Sequence, residues 1–155
     1  MTPQAQVDRI RKIRTFLFDI IKDMPIEKLN EIPAGFANNI IWHLGHMIVA
    51  QQSICYLRAG MQPAIPQSYV ELFKPGTKPN APVSADDAAA IKETFFSSLD
   101  QLEKDLLNNL LSSYTPWVTR YGVEITSIND ALEFLLFHEG LHSGYITYMK
   151  RLVIT

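Results

Sequence analysis

The sequence predicts an all-α protein, a four-helix bundle. Two observations carry this reading. Apolar residues recur at three- and four-residue steps along four separate stretches, which is the period of a helix with one buried face. No stretch alternates apolar and polar residues in a way that reads as a long strand. Four long helices joined by longer connections bury their stripes against one another. The pattern leaves their order in space open.

The first helix is predicted over about residues 4–23, with Ile10, Ile13, Leu17, Ile20 and Met24 as its stripe and Pro25 as its stop. The second follows Asn38-Asn39, either of which can cap it, and runs to about Arg58, before Gly60. Ile40, Leu44, Met47 and Gln51 share a face, with Ile48 and Cys55 beside them. So many other apolar residues flank this stripe that most of the helix is expected to be buried. The third starts after Ser84, where Asp87 makes a weak capping box. Its buried face is Ala88, Phe95, Leu99, Leu102 and Leu106. The fourth spans about residues 127–152, capped by Thr126 or Ser127, with Asp130 in its first turn.

Between the second and third helices lies a connection of about residues 60–84 containing Pro63, Pro66, Pro75, Pro79 and Pro82. That density forbids one continuous element. The segment reads equally as a lid or as an ordered strap over the bundle, and residues 69–73 could form one helical turn. Residues 114–125, with Pro116 and Gly122, read as irregular with a small turn over 120–124.

A length of 155 residues fits a single domain, residues 1–155. The hydrophobic fraction of 47% and charged fraction of 19% are those of an ordinary globular chain. A formal net charge of −2 argues against a general affinity for nucleic acid. The one cysteine, Cys55, cannot form an intramolecular disulfide, which suits a reducing compartment. It lies among apolar residues and reads as core rather than nucleophile. The first residues are polar, and no apolar run is long enough to cross a bilayer. The expected location is the cytoplasm, away from membranes.

The histidines carry the chemistry. There are four, in two pairs on predicted helices: His43 with His46, and His138 with His142. Spacings of three and four residues put both members of a pair on neighbouring turns. Ala131, Leu135, Tyr145 and Met149 share the stripe of His138 and His142, so both imidazoles are expected to face the interior. Two imidazoles one turn apart can chelate one ion. His43 and His46 diverge by about 60° around their helix, so one could ligate while the other supports it. Periodicity does not choose between them. Three protein ligands would leave a coordination position open, as in catalytic rather than structural sites.

His138-Glu139-Gly140-Leu141-His142 also matches the H-E-x-x-H protease motif, in which the glutamate is the general base. The context argues against that chemistry. Such proteases place a third ligand downstream, yet only 13 residues follow His142 and none is His, Asp or Glu. Glu139 is turned about 100° from His138. It reads as solvated or hydrogen-bonding, with a catalytic role as the minor alternative.

Two segments, Asn38-Asn39-Ile40-Ile41-Trp42-His43-Leu44-Gly45-His46-Met47 and Phe137-His138-Glu139-Gly140-Leu141-His142-Ser143-Gly144-Tyr145, resemble the DinB-like family of metal-binding helix bundles. The helix layout and the long connection fit as well. The resemblance implies an antiparallel four-helix bundle with a long crossover between the second and third helices, often as a homodimer. It implies a nickel or zinc site at His46, His138 and His142, with His43 as a supporting or pocket residue. It also implies a range of activities, from metal-dependent hydrolysis to transfer reactions that use a low-molecular-weight thiol.

The expected function is therefore a divalent-metal-dependent enzyme, of hydrolase or thiol S-transferase type, acting on a small molecule. No side chain is assigned as its catalytic group; a metal-activated water or thiol would fill that role. The alternative is a non-catalytic metal- or ligand-binding bundle. A third reading is self-assembly through Gly140 and Gly144, whose plainer explanation is close packing within the chain. Trp42, Phe137, Tyr145 and Tyr148 could line a pocket or fill the core.

Overall fold

The computed structural model describes residues 1–154. Its long helices are α1 (Pro3–Ile21), α3 (Ile40–Cys55), α5 (Ala85–Leu107) and α6 (Ile128–Val153). The short helices α2 (Ile26–Asn30) and α4 (Gln67–Phe73) lie in the connections. Residues 114–125 are less irregular than expected. They hold a short antiparallel hairpin of β1 (Trp117–Val118) and β2 (Glu124–Ile125), with Trp117 opposite Ile125. Gly122, at φ 79°, makes the turn possible. No helix among the described residues is long and apolar enough to cross a membrane.

Local chemistry sets the helix starts. Asn39, not Asn38, caps α3 by accepting a hydrogen bond from the Trp42 amide at 2.9 Å. The Ser84 hydroxyl accepts from the Asp87 amide at 3.0 Å. Ser127 accepts from the Asp130 amide, and the Asp130 carboxylate accepts in return from the Thr126 amide. These reciprocal bonds satisfy amides that the helix itself leaves unpaired.

The long helices form an all-α bundle. Helix α1 packs against α5 and α6, and α3 packs against the same two, which puts α1 and α3 at opposite corners. Contacts between α1 and α6 advance together, from Gln6 with Asn129 to Arg14 with Glu139, so these helices are parallel. Helices α3 and α5 are also parallel, through Gln51 with Ser98 and Tyr56 with Asp105. The α1–α5 and α3–α6 contacts are antiparallel. Chain direction is thus up, down, down, up. The long 60–84 segment is the crossover that carries the chain back to the end from which α3 started.

That segment is an ordered strap. The Phe73 ring lies directly over Gly45 on α3, where a Cβ would collide with it. Trp42 Nε1 donates to Thr77 Oγ1 at 3.0 Å.

Two helix phases differ from expectation. On α1 the buried line is Val7, Ile10, Arg14, Leu17 and Ile21, while Ile13, Ile20 and Met24 are half-buried. On α6 the buried seam is Leu132, Leu135, Glu139, His142, Ile146, Met149 and Val153. It therefore runs through Glu139 and leaves His138 on its flank. The cause of both shifts is one ion pair between α1 and α6, in which Arg14 and Glu139 are each 0% exposed. Together with Gln51 and Ser98 they form a polar layer that divides the core in two. Leu17, Met47, Phe95 and Ile146 lie on one side, and Ile10, Ile54, Leu99 and Leu135 on the other.

Candidate metal centre

Helices α3 and α6 run antiparallel, so the start of one faces the second half of the other. This brings His46, His138 and His142 together: one nitrogen from each lies within 4.8 Å of the others. His43, which periodicity could not separate from His46, stands behind His142, with 2.8 Å between their Nδ1 atoms. One of these nitrogens carries the proton and the other accepts it.

Each ring is oriented by its surroundings. His46 Nδ1 donates to the Phe73 carbonyl at 2.8 Å, which leaves its Nε2 lone pair free for an ion. The same ring stacks on Trp42, with centroids 4.7 Å apart. His43 stacks on Tyr145 at 5.3 Å. His138 Nδ1 is buried and has no hydrogen-bond partner among the described residues. An unpaired buried nitrogen is costly, and ligation would satisfy it. Three converging imidazoles, one of them with an unpaired buried nitrogen, are a donor set that fits a divalent transition metal.

The rings are also in the right charge state. Burial, then the Coulombic effect of His46, lowers His43 to about 4. Burial and the neighbouring histidines lower His138 to about 3 and His142 to about 2. Burial lowers His46 too, opposed by its bond to Phe73. Imidazoles that are neutral at neutral pH release no proton on binding a metal, unlike protonated ones.

A model of the DinB superfamily matches residues 9–146. The chain belongs to the DinB superfamily. Among solved structures it is similar to the crystal structure of a conserved protein from Enterococcus faecalis, with a TM-score of 0.67 and 16% identity over 99% of this chain and 98% of that one. At that identity the likeness shows the fold alone. No curated protein matches the sequence.

In this DinB chain the three histidines face a cavity of about 660 Å³. Trp42 and Tyr145 line it, as does Pro75-Gly76 of the strap. Tyr145 is 42% exposed, so it belongs to the cavity lining rather than the core. Phe137 and Tyr148 lie outside the cavity lining and are exposed. Gly140 and Gly144 are exposed, and an added Cβ would meet nothing within 4 Å. Close packing within the chain therefore does not explain them.

Glu139 is not solvated. Its carboxylate accepts from Arg14 Nη2 at 2.8 Å and from Nε at 3.2 Å, and no hydrogen bond joins it to a histidine among the described residues. Arg14 is satisfied in addition by the Phe95 carbonyl at 2.7 Å. Burial raises the Glu139 carboxyl, against the pull of Arg14. In place of the general-base role that the H-E-x-x-H motif gives its glutamate, Glu139 forms an ion pair that fixes the rotation of α6. Arg14, the Phe73 carbonyl, Arg58 and Arg120 were not singled out from sequence. Only Arg14 had a signal there, as a charge set between Ile10 and Leu17 on the apolar line.

Proposed function

We propose that this chain binds one divalent metal ion through His46, His138 and His142, and that the loaded protein is an enzyme acting on a small molecule in the adjoining cavity. The observation that carries the reading is the convergence of three neutral imidazoles, within 4.8 Å, at the wall of a cavity. Zinc and nickel both suit such donors. When bound, the ion would supply Lewis acidity toward a water or a low-molecular-weight thiol, consistent with hydrolase or thiol S-transferase chemistry.

The chain's own contributions follow from the geometry. The Phe73 carbonyl holds the His46 proton on Nδ1 and so presents Nε2. His43 can accept the Nδ1 proton of His142, which fixes that ring for ligation through Nε2. Trp42 stacks on the ligand His46 and Tyr145 on the supporting His43, and both limit the water around those rings. The Arg14–Glu139 pair keeps His142 on the buried seam of α6.

Metal analysis of the untagged protein should find about one ion per chain, lost in the triple alanine variant of His46, His138 and His142. Failure of the wild type to bind zinc or nickel under any loading condition would sink the reading. Catalysis is tested by screening loaded protein with thiols plus electrophiles and with esters. Activity equal in wild type and His142→Ala would remove the metal from the mechanism, and no turnover of any of these substrates would favour the alternative, a non-catalytic binding protein.

A homodimer through α6 is supported by one further observation. Phe137, Gly140, Gly144 and Tyr148 expose one face of the helix at three- and four-residue spacing, which permits close approach of a second helix. A purely monomeric mass by light scattering at working concentration would exclude it.

A further inference from the structure

The cavity has a charge pattern that the metal site does not account for. Its lining contains no Asp, Glu or Lys, but it includes Arg58 and Arg120. Arg58 lies in the turn of helix that follows α3, and Arg120 in the loop of the β1–β2 hairpin. Neither guanidinium meets a carboxylate among the described residues. Each instead lies over an aromatic ring, Arg58 over Trp117 at 4.8 Å and Arg120 over Tyr121 at 4.9 Å. Arg120 also donates to the Tyr121 hydroxyl at 2.6 Å.

An aromatic face positions a guanidinium without neutralising it. Most of the donors of both forks are therefore still available. Arg11 differs, being paired with Asp100 and Glu103, and so does Arg14, paired with Glu139. Two unneutralised guanidinium forks at a partly apolar wall suit a planar or tetrahedral oxyanion. The field there is positive although the chain as a whole carries −2. Trp117 and Phe134, on the same wall, offer apolar surface.

We propose that the cavity takes a small organic acid, ionised at neutral pH, whose anionic group is met by Arg58 and Arg120 and whose apolar body rests on Trp117 and Phe134. This deepens the reading of the metal-site cavity and rests on that cavity being where the ligand sits. It makes the two arginines specificity residues of the site.

The test is calorimetric titration of the full chain, metal-stripped and zinc-loaded, with benzoate, 2-naphthoate and phenyl phosphate. Benzamide, 2-naphthamide and benzylamine serve as neutral and cationic counterparts. The anions should bind about tenfold or more tightly than the neutral compounds, already in stripped protein. Arg58→Gln and Arg120→Gln should each reduce anion affinity several-fold and leave amide affinity unchanged. Arg11→Gln, on the outer surface, should change neither. Circular dichroism and zinc content of each variant separate loss of the anion site from loss of fold or metal. The proposal is overturned if no anion binds, if anions and amides bind alike, or if both glutamine variants bind anions as wild type does. A chain that holds zinc but fails these comparisons loses this inference and keeps the metal reading. A chain that takes no metal but discriminates anions through its arginines does the reverse.

Discussion

The side chain whose role changes most on folding is Glu139. In the sequence it is the one charged residue between two candidate ligands; in the fold it is half of a fully buried ion pair with Arg14. Removing one partner from such a pair leaves an uncompensated charge in the core. Glu139→Gln should therefore destabilise the chain by about 3–5 kcal/mol, measured by urea unfolding. Replacing both partners, as Arg14→Met with Glu139→Leu, should restore most of that loss. A Glu139→Gln cost below about 1 kcal/mol would contradict the ion-pair role. Sequence showed Glu139 to be off the His138 axis but could not name its partner, since Arg14 is 125 residues away in the chain. The choice of His46 over His43 follows from the family resemblance and is illegible in the helical period, for a related reason. Both fall near the buried side of α3, and what separates them is the Phe73 carbonyl, a backbone atom with no sequence pattern.

At the scale of elements, caps and apolar periods were readable because both are local. Asn39, Ser84 and Ser127 each cap by a bond that spans three residues. The α6 seam lies one position away from the apolar stripe of the sequence because the residue that replaces an apolar side chain on it, Glu139, is charged. The strap is the element in which a small change should reach the site. Gly45 has no room for a methyl group beneath the Phe73 ring, and the Phe73 carbonyl holds His46. Gly45→Ala should cost about 1–3 kcal/mol through overpacking. It should also weaken zinc binding, although position 45 bears no ligand. Wild-type zinc affinity in that variant would mean that α4 does not position His46.

For the whole molecule, the fold class and the crossover were legible, and the parallel pairing of α3 with α5 follows from the crossover's length. Their arrangement at the corners was not, because many bundles satisfy the same stripes. Burial of four imidazoles has a global consequence. Folding holds His43, His138 and His142 at about 4, 3 and 2, below the ordinary value of 6.5. The unfolded chain takes up protons near 6.5 while the folded chain does not. Stability from these groups is therefore complete above about pH 6.5 and is lost as the pH falls toward the folded values. The urea midpoint of metal-free protein should drop between about pH 7.5 and pH 5, and less so when the three are replaced by alanine. An equal midpoint at both values would contradict their burial as neutral rings.

The bond from His46 to the Phe73 carbonyl joins a ligand on α3 to a strap that contributes no metal ligand of its own. If the ion favours that ring orientation, thermodynamic linkage requires the ordered strap to favour the ion by the same factor. Zinc should then slow amide hydrogen exchange across residues 67–77, well beyond the ligands themselves. The strap would become a distant reporter of occupancy, readable by mass spectrometry before any substrate is known.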